Sequence, residues 1–147
     1  MQRRLDLLDR ARERLAQRRF LRRHAHSSEV RRPLTEQERA VVLKMLDVET
    51  PGSEQFRSQV DWITVVYACD CGACGTISFE VDETRGERAP LPRWDDYAMV
   101  SESSGSSWLM LFQRDGWLSE LEHVPGYGPS PEQLDPDELE VEPDADA

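Results

Sequence analysis

Apolar and polar residues alternate most clearly along residues 76–82, TISFEVD. Ile77, Phe79 and Val81 fall on one side of an extended chain and Thr76, Ser78, Glu80 and Asp82 on the other, solvent side, which is typical of a strand with one buried face. The β-branched and aromatic run DWITVVYAC at 61–69 indicates another strand, and further strands are expected up to LSELEHV at 118–124. We therefore predict a four-stranded antiparallel meander between about residues 60 and 125.

One turn in this region has a characteristic residue pair, Asp115-Gly116, which favours the type I′ turn of a two-residue hairpin. Such a turn sets Arg114 opposite Trp117. On this register the solvent face carries Gln113, Glu120 and Glu122, and the core face carries Trp108, Met110, Phe112, Trp117 and Leu121.

Helical signals precede the strands, in LTEQERAVVLKML at 34–46. Thr35 and Glu38 have the spacing of a capping box, so a helix should begin there and run to about Leu46. Ser53 is predicted to cap a second, short helix that ends near residue 60. We expect both helices to cover the apolar face of the sheet, giving an α+β domain over residues 34–125.

The two ends of the chain differ strongly in charge from each other. Residues 1–33 hold eleven arginines against four acids, a balance of +7, whereas residues 34–147 carry a balance of −18. We predict a helix over about residues 2–23, followed by the linker HSSEVRRP, and call residues 1–33 the basic arm. Residues 126–147, with eight acids after Pro131, are predicted to form an acidic disordered tail.

All three cysteines lie in ACDCGACG at 68–75, which we expect to connect two strands of a hairpin. The CGACG segment has the form of a zinc knuckle, in which two thiolates grip one ion. The alternatives are buried strand-end thiols and a redox pair. His24 or His26 could supply a nitrogen ligand in place of His123, which the hairpin register sets opposite Trp108. The candidate zinc ligands are Cys69, Cys71, Cys74 and His123.

The capped LTEQERAVVLKML helix, the cysteine-bearing hairpin and the RDGWLSELE strand together resemble a group of small actinobacterial proteins. The resemblance covers roughly residues 33–125. It implies the α+β fold and no established activity.

Several function classes lack their sequence signatures. There is no nucleophile elbow, paired His–carboxylate spacing or Gly-rich phosphate loop, so we do not expect an enzyme. The chain has no apolar run of about 18 residues that could span a membrane and no secretory signal, which favours a cytoplasmic protein.

The charge distribution predicts a small acidic interaction module that binds a basic protein partner, as immunity proteins of toxin systems do. The alternative is a nucleic-acid-associated regulatory protein that uses the basic arm, with a zinc-stiffened cysteine hairpin. The arginines could also be solvated or rest on the acidic body. The candidate partner-binding residues are Arg12, Arg19, Arg22 and Arg23.

Overall fold

A computed structural model describes residues 27–48, 52–71, 75–90, 97–103, 107–124 and 134–143. The helix predicted over residues 2–23 lies outside these ranges. The described residues contain no helix with the length and apolar character that a membrane span requires.

Two α-helices and seven strands make up the described fold. The helices are α1 (Glu36–Met45) and α2 (Ser53–Gln59), and α2 continues into a 3₁₀ turn, Val60–Trp62. A second 3₁₀ turn covers Pro136–Glu138. The strands are β1 (Ser27–Arg32), β2 (Ile63–Cys69), β3 (Ile77–Val81), β4 (Tyr97–Ser103), β5 (Ser107–Arg114), β6 (Trp117–Val124) and β7 (Glu140–Pro143).

The strands form one antiparallel sheet in the order β1-β2-β3-β6-β5-β4-β7. The α+β class is confirmed, but the sheet has seven strands rather than the four predicted, and it is not a simple meander. β3 pairs with β6 rather than with β4, and Ile77 lies opposite Leu121. After β3 the chain thus passes the positions that β6 and β5 occupy before it forms β4. The hairpins β4–β5 and β5–β6 then fold back towards β3.

β1 arises from residues that were predicted to be a linker, and for 27–32 that prediction is wrong. Its sequence SSEVRR has little apolar character, yet Ser27 pairs with Cys69 and Arg32 with Val65. An edge strand bonds to one neighbour only and tolerates polar side chains. Pattern alone therefore did not indicate it.

The tail also contributes to the sheet. Leu134 and Leu139 are each only 5 % exposed and belong to the core, and β7 pairs with β4. The prediction of disorder is therefore wrong for residues 134–143. Burial of the two leucines offsets the entropy of ordering this short segment.

The helices cover the sheet as predicted, with one change at a cap. The capping box of α1 is confirmed, since Thr35 Oγ1 accepts from the Glu38 N–H (3.1 Å) and Glu38 Oε2 accepts from the Thr35 N–H (2.9 Å). In α2 the N-cap is Gly52, with φ +89°, and not Ser53. The Ser53 hydroxyl instead donates to the carbonyl of Val48, which ties the start of α2 to the end of α1.

The β5–β6 turn matches the prediction, but the register beyond it does not. Asp115 and Gly116 have φ values of +51° and +86°, as a type I′ turn requires. Phe112 then lies opposite Glu120 while Gln113 lies opposite Leu118, so Ser119 is the extra residue of a β-bulge.

The bulge changes which residues form the core. Leu118 and Leu121 face the same side although they are three residues apart, and Leu121 is the one predicted core residue of this hairpin that is buried. Trp108, predicted to be core, is 45 % exposed, and its partner is Val124 rather than His123. We call the side under the helices the covered face; its core includes Val42, Met45, Phe56, Phe79, Leu109, Leu111, Leu118 and Leu121.

Candidate functional site

A cavity of about 300 Å³ lies between α1, the tail and the cysteine end of the sheet. Its lining is mostly apolar and includes a thiol, an imidazole, a hydroxyl and an ion pair. Its volume is at the lower end of the range for small-molecule sites. The lining includes Arg32, Glu38, Val41, Cys69, Thr76, Ile77, Leu109, Leu121, His123 and Leu134.

Two of the four predicted zinc ligands meet at this cavity. Cys69 is the last residue of β2 and is half-buried, while His123 lies on β6 and is 3 % exposed. Thr76 connects the two strands, because its hydroxyl accepts from the His123 N–H (3.1 Å) and donates to the His123 carbonyl (3.4 Å), and its own carbonyl accepts from the Cys69 N–H at 2.9 Å. The alternation in TISFEVD assigned Thr76 to the solvent side, whereas it is fully buried.

Of the other two predicted ligands, Cys71 is not among the residues that line the cavity. Cys71 is exposed, and neither it nor Cys69 is in a disulfide; Cys74 lies outside the described residues. Within the described part of the chain, no three His, Cys, Asp or Glu side chains are grouped closely enough to hold a metal ion. Zinc binding by the hairpin stays a prediction, which metal analysis of the purified protein would test.

Arg32 and Glu38 close one side of the cavity through a two-pronged ion pair. The Nη1–Oε2 and Nη2–Oε1 distances are both 2.8 Å. The hydrogen bond to Glu38 raises the pKa of Arg32 above its ordinary value, against a smaller lowering by burial. Glu38 therefore serves the helix cap and the pair to β1 together. The sequence indicated only the cap, since no spacing rule relates an arginine of an edge strand to a glutamate six positions later in a helix.

The second candidate site is the other side of the sheet, which we call the open face. Both described helices pack on the covered face, so no described helix lies over it. By register, its side chains include Glu29, Thr64, Tyr67, Ser78, Glu80, Trp108, Met110, Phe112, Arg114, Glu120 and Glu122.

A continuous row crosses the open face from strand to strand. The register places Glu29 beside Tyr67, Tyr67 beside Ser78, Ser78 beside Glu120 and Glu120 beside Phe112. Adjacent side chains in such a row are about 5 Å apart. The row therefore brings two carboxylates and two aromatic rings onto one line across the face.

Exposure varies across this face. Trp108 is 45 % exposed and Glu80 is exposed, whereas Glu120 is only 7 % exposed and Met110 is half-buried. A buried carboxylate is costly unless a cation or hydrogen-bond donors meet it. The open face therefore combines aromatic contact area with negative charge.

The predicted partner-binding arginines, Arg12, Arg19, Arg22 and Arg23, lie outside the described residues, as do His24 and His26. Of the eleven arginines of the basic arm, the structure describes Arg31 and Arg32. Arg31 Nε lies 3.0 Å from Glu29 Oε1 at an exposed position, so both of these guanidinium groups are engaged by carboxylates of the chain itself.

No family model, curated protein or solved structure matches this chain. The resemblance to small actinobacterial proteins stays an expectation.

Proposed function

We propose that this protein is a small acidic interaction module that binds a basic protein partner on its open face. The observation that carries the proposal is the combination of carboxylates and aromatic rings, with Glu80 and Trp108 exposed, on a sheet face that no described helix covers. Aromatic side chains supply the buried anchors of an interface, and arginine stacks on their rings. Carboxylates beside them favour basic partners and speed their encounter.

An acidic body of this kind fits the immunity-type class, in which a protein neutralises a basic target. The described site residues supply contact area and charge, and the proposal assigns them no catalytic step. The cavity beside Cys69 plays no part in it.

The test compares partners retained by tagged full-length chains from a nuclease-treated extract of producing cells. The face variant combines Trp108→Ser with Glu80→Lys. The control is Asp47→Lys, which makes the same change in charge at an exposed position after α1, on the helix side of the sheet. We expect the wild type and the control to retain the same basic protein at about 0.15 M salt and the face variant to lose it.

A partner retained equally by all three chains would overturn the use of the open face. The nucleic-acid alternative rests on the basic arm, of which residues 1–26 are outside the described residues. Direct titration of duplex DNA and of RNA tests it, since such binding must weaken steeply with salt.

A further inference from the structure

Residues 1–26 of the chain complement the open face in charge. Nine arginines stand against three acids in this stretch, which we call the arginine segment. The described side chains of the open face include Glu80, Glu120 and Glu122 against Arg114. A basic segment tethered to this domain has a high local concentration near an acidic face.

The arginine segment also matches the face in its apolar content. At the spacing of three and four residues that places side chains on one side of a helix, the segment offers Leu5, Leu8, Arg12, Leu15, Arg19 and Arg22. This stripe mixes leucines with arginines. The open face presents the corresponding mixture, with Met110 and Phe112 beside Glu120 and Glu122.

The lengths agree as well. A helix over residues 2–23 would be about 33 Å long, and seven strands about 4.8 Å apart make a sheet about 29 Å wide. The segment ends at Ser27, the first residue of the edge strand β1. Residues 24–26 can extend about 10 Å, enough to pass from that edge to a layer resting on the sheet.

We infer that the arginine segment lies over the open face as an intramolecular ligand, which a basic partner must displace. The leucines and arginines of the segment would make the same kinds of contact, apolar packing and ion pairs, that the proposed partner makes with the face. The displacement half of this inference rests on the function proposed above, whereas the docking half does not. Docking of this kind reduces the apparent affinity for a partner, because only the fraction of molecules with an unoccupied face can bind it.

The first experiment measures cleavage of the full-length chain by a protease that cuts beside leucine and phenylalanine. The arm variant is Arg12→Glu with Arg19→Glu, and the face variant is Glu80→Lys with Glu122→Lys. Each should speed cleavage within residues 1–26 about tenfold, the effect expected from losing two ion pairs. The control Asp47→Lys should leave the rate unchanged.

Combining the arm and face variants restores opposite charges and should recover protection. This fourth chain separates docking from misfolding, because a damaged sheet would not be repaired by changes in the segment. The arm variant also leaves every described residue intact. Equal cleavage rates in wild type, arm variant and combined variant would overturn the inference.

The second experiment adds a synthetic peptide of residues 1–26 to the wild type and to the arm variant. We expect about tenfold tighter binding to the arm variant, whose face is vacated. Equal affinity would overturn displacement while leaving the proposed function standing. If the arginine segment is protected from cleavage but the protein retains no basic partner, docking holds and the proposed function fails.

Discussion

The side-chain amide of Gln59 donates a hydrogen bond of 2.8 Å to the backbone carbonyl of Gly116, which joins helix α2 to the turn of the β5–β6 hairpin. The same amide donates to the carbonyl of Glu87 at 2.7 Å, and its oxygen accepts from the Leu118 N–H at 2.9 Å. Gln59 is fully buried. One side chain thus satisfies backbone groups from two separate loops, and the hairpin is aligned with the helix layer by this link.

Gln59→Leu should therefore lower the free energy of unfolding by about 3 kcal/mol, because it leaves the buried Leu118 N–H without its acceptor and removes one donor from each of the Gly116 and Glu87 carbonyls. Urea denaturation measures the change. Gln55→Leu, on the same helix at a less buried position, is the matched control and should stay within about 0.5 kcal/mol. Equal losses in both variants would contradict the role of Gln59.

Gly116→Ala should also destabilise the fold, by about 3 kcal/mol, for two physical reasons. Its φ of +86° is unfavourable for any residue with a Cβ, and an added Cβ would lie 2.2 Å from the carbonyl oxygen of Ala89. The control is Asp115→Gly, which keeps a turn residue at φ +51° and should cost less than about 1 kcal/mol. Thermal melting of the two variants compares them, and similar melting temperatures would show that the turn can rearrange.

The Asp82 carboxyl provides a pH-dependent test. Its pKa is lowered by hydrogen bonds from the hydroxyl and backbone N–H of Thr84, at 2.6 and 3.0 Å. The folded state therefore binds fewer protons here than the unfolded state. The stabilisation is complete above the ordinary pKa of 3.8 and is lost as the pH falls through the lower folded value.

Thr84→Val removes the hydroxyl donor, so the pKa of Asp82 should rise towards its ordinary value, as followed by NMR titration of the side-chain carboxyl. Thr84→Ser retains the donor and should keep the pKa low. A pKa unaffected by Thr84→Val would assign the shift to the backbone bond instead.

Leu139→Ala should lower the free energy of unfolding by about 2–3 kcal/mol, since it empties a core position that the tail fills. Glu138→Ala changes the adjacent exposed residue and should have an effect of less than about 0.5 kcal/mol. Guanidinium denaturation gives both values. Two small effects would mean that the segment at 134–143 adds little to the core.

Local patterns predicted helices α1 and α2, the I′ turn and the cysteine hairpin, because each depends on residues close together in sequence. The face of β5 was not predictable in this way. In WLMLF, both the set starting at Trp108 and the set starting at Leu109 are apolar, so a period of two does not decide which set is buried. A bulge at Ser119 then shifts the register by one residue, and no local signal marked it.

Sequence reasoning proposed Cys69 and His123 as ligands, but it did not predict the cavity that both of them line. Cys69 and His123 line the same cavity because β3 lies beside β6. That contact joins residues more than 40 positions apart, and no spacing rule indicates it. Thr76 gains its role from the same long-range pairing, whereas Arg32 is held beside Glu38 by the pairing of β1 with β2. The asymmetry of charge between residues 1–33 and 34–147, by contrast, can be counted from the sequence alone, and it is the basis of the predicted basic partner.

The two edges of the sheet, β1 and β7, come from opposite ends of the described chain. An exposed edge is a template on which strands of other molecules can pair. β1 carries charged residues and a register shift between Glu29 and Arg32, and β7 carries acids and ends at Pro143, all features that discourage such pairing. A chain cut before residue 134 would expose β4 without that protection, so its first failure should be aggregation, at temperatures where the remaining fold is still intact.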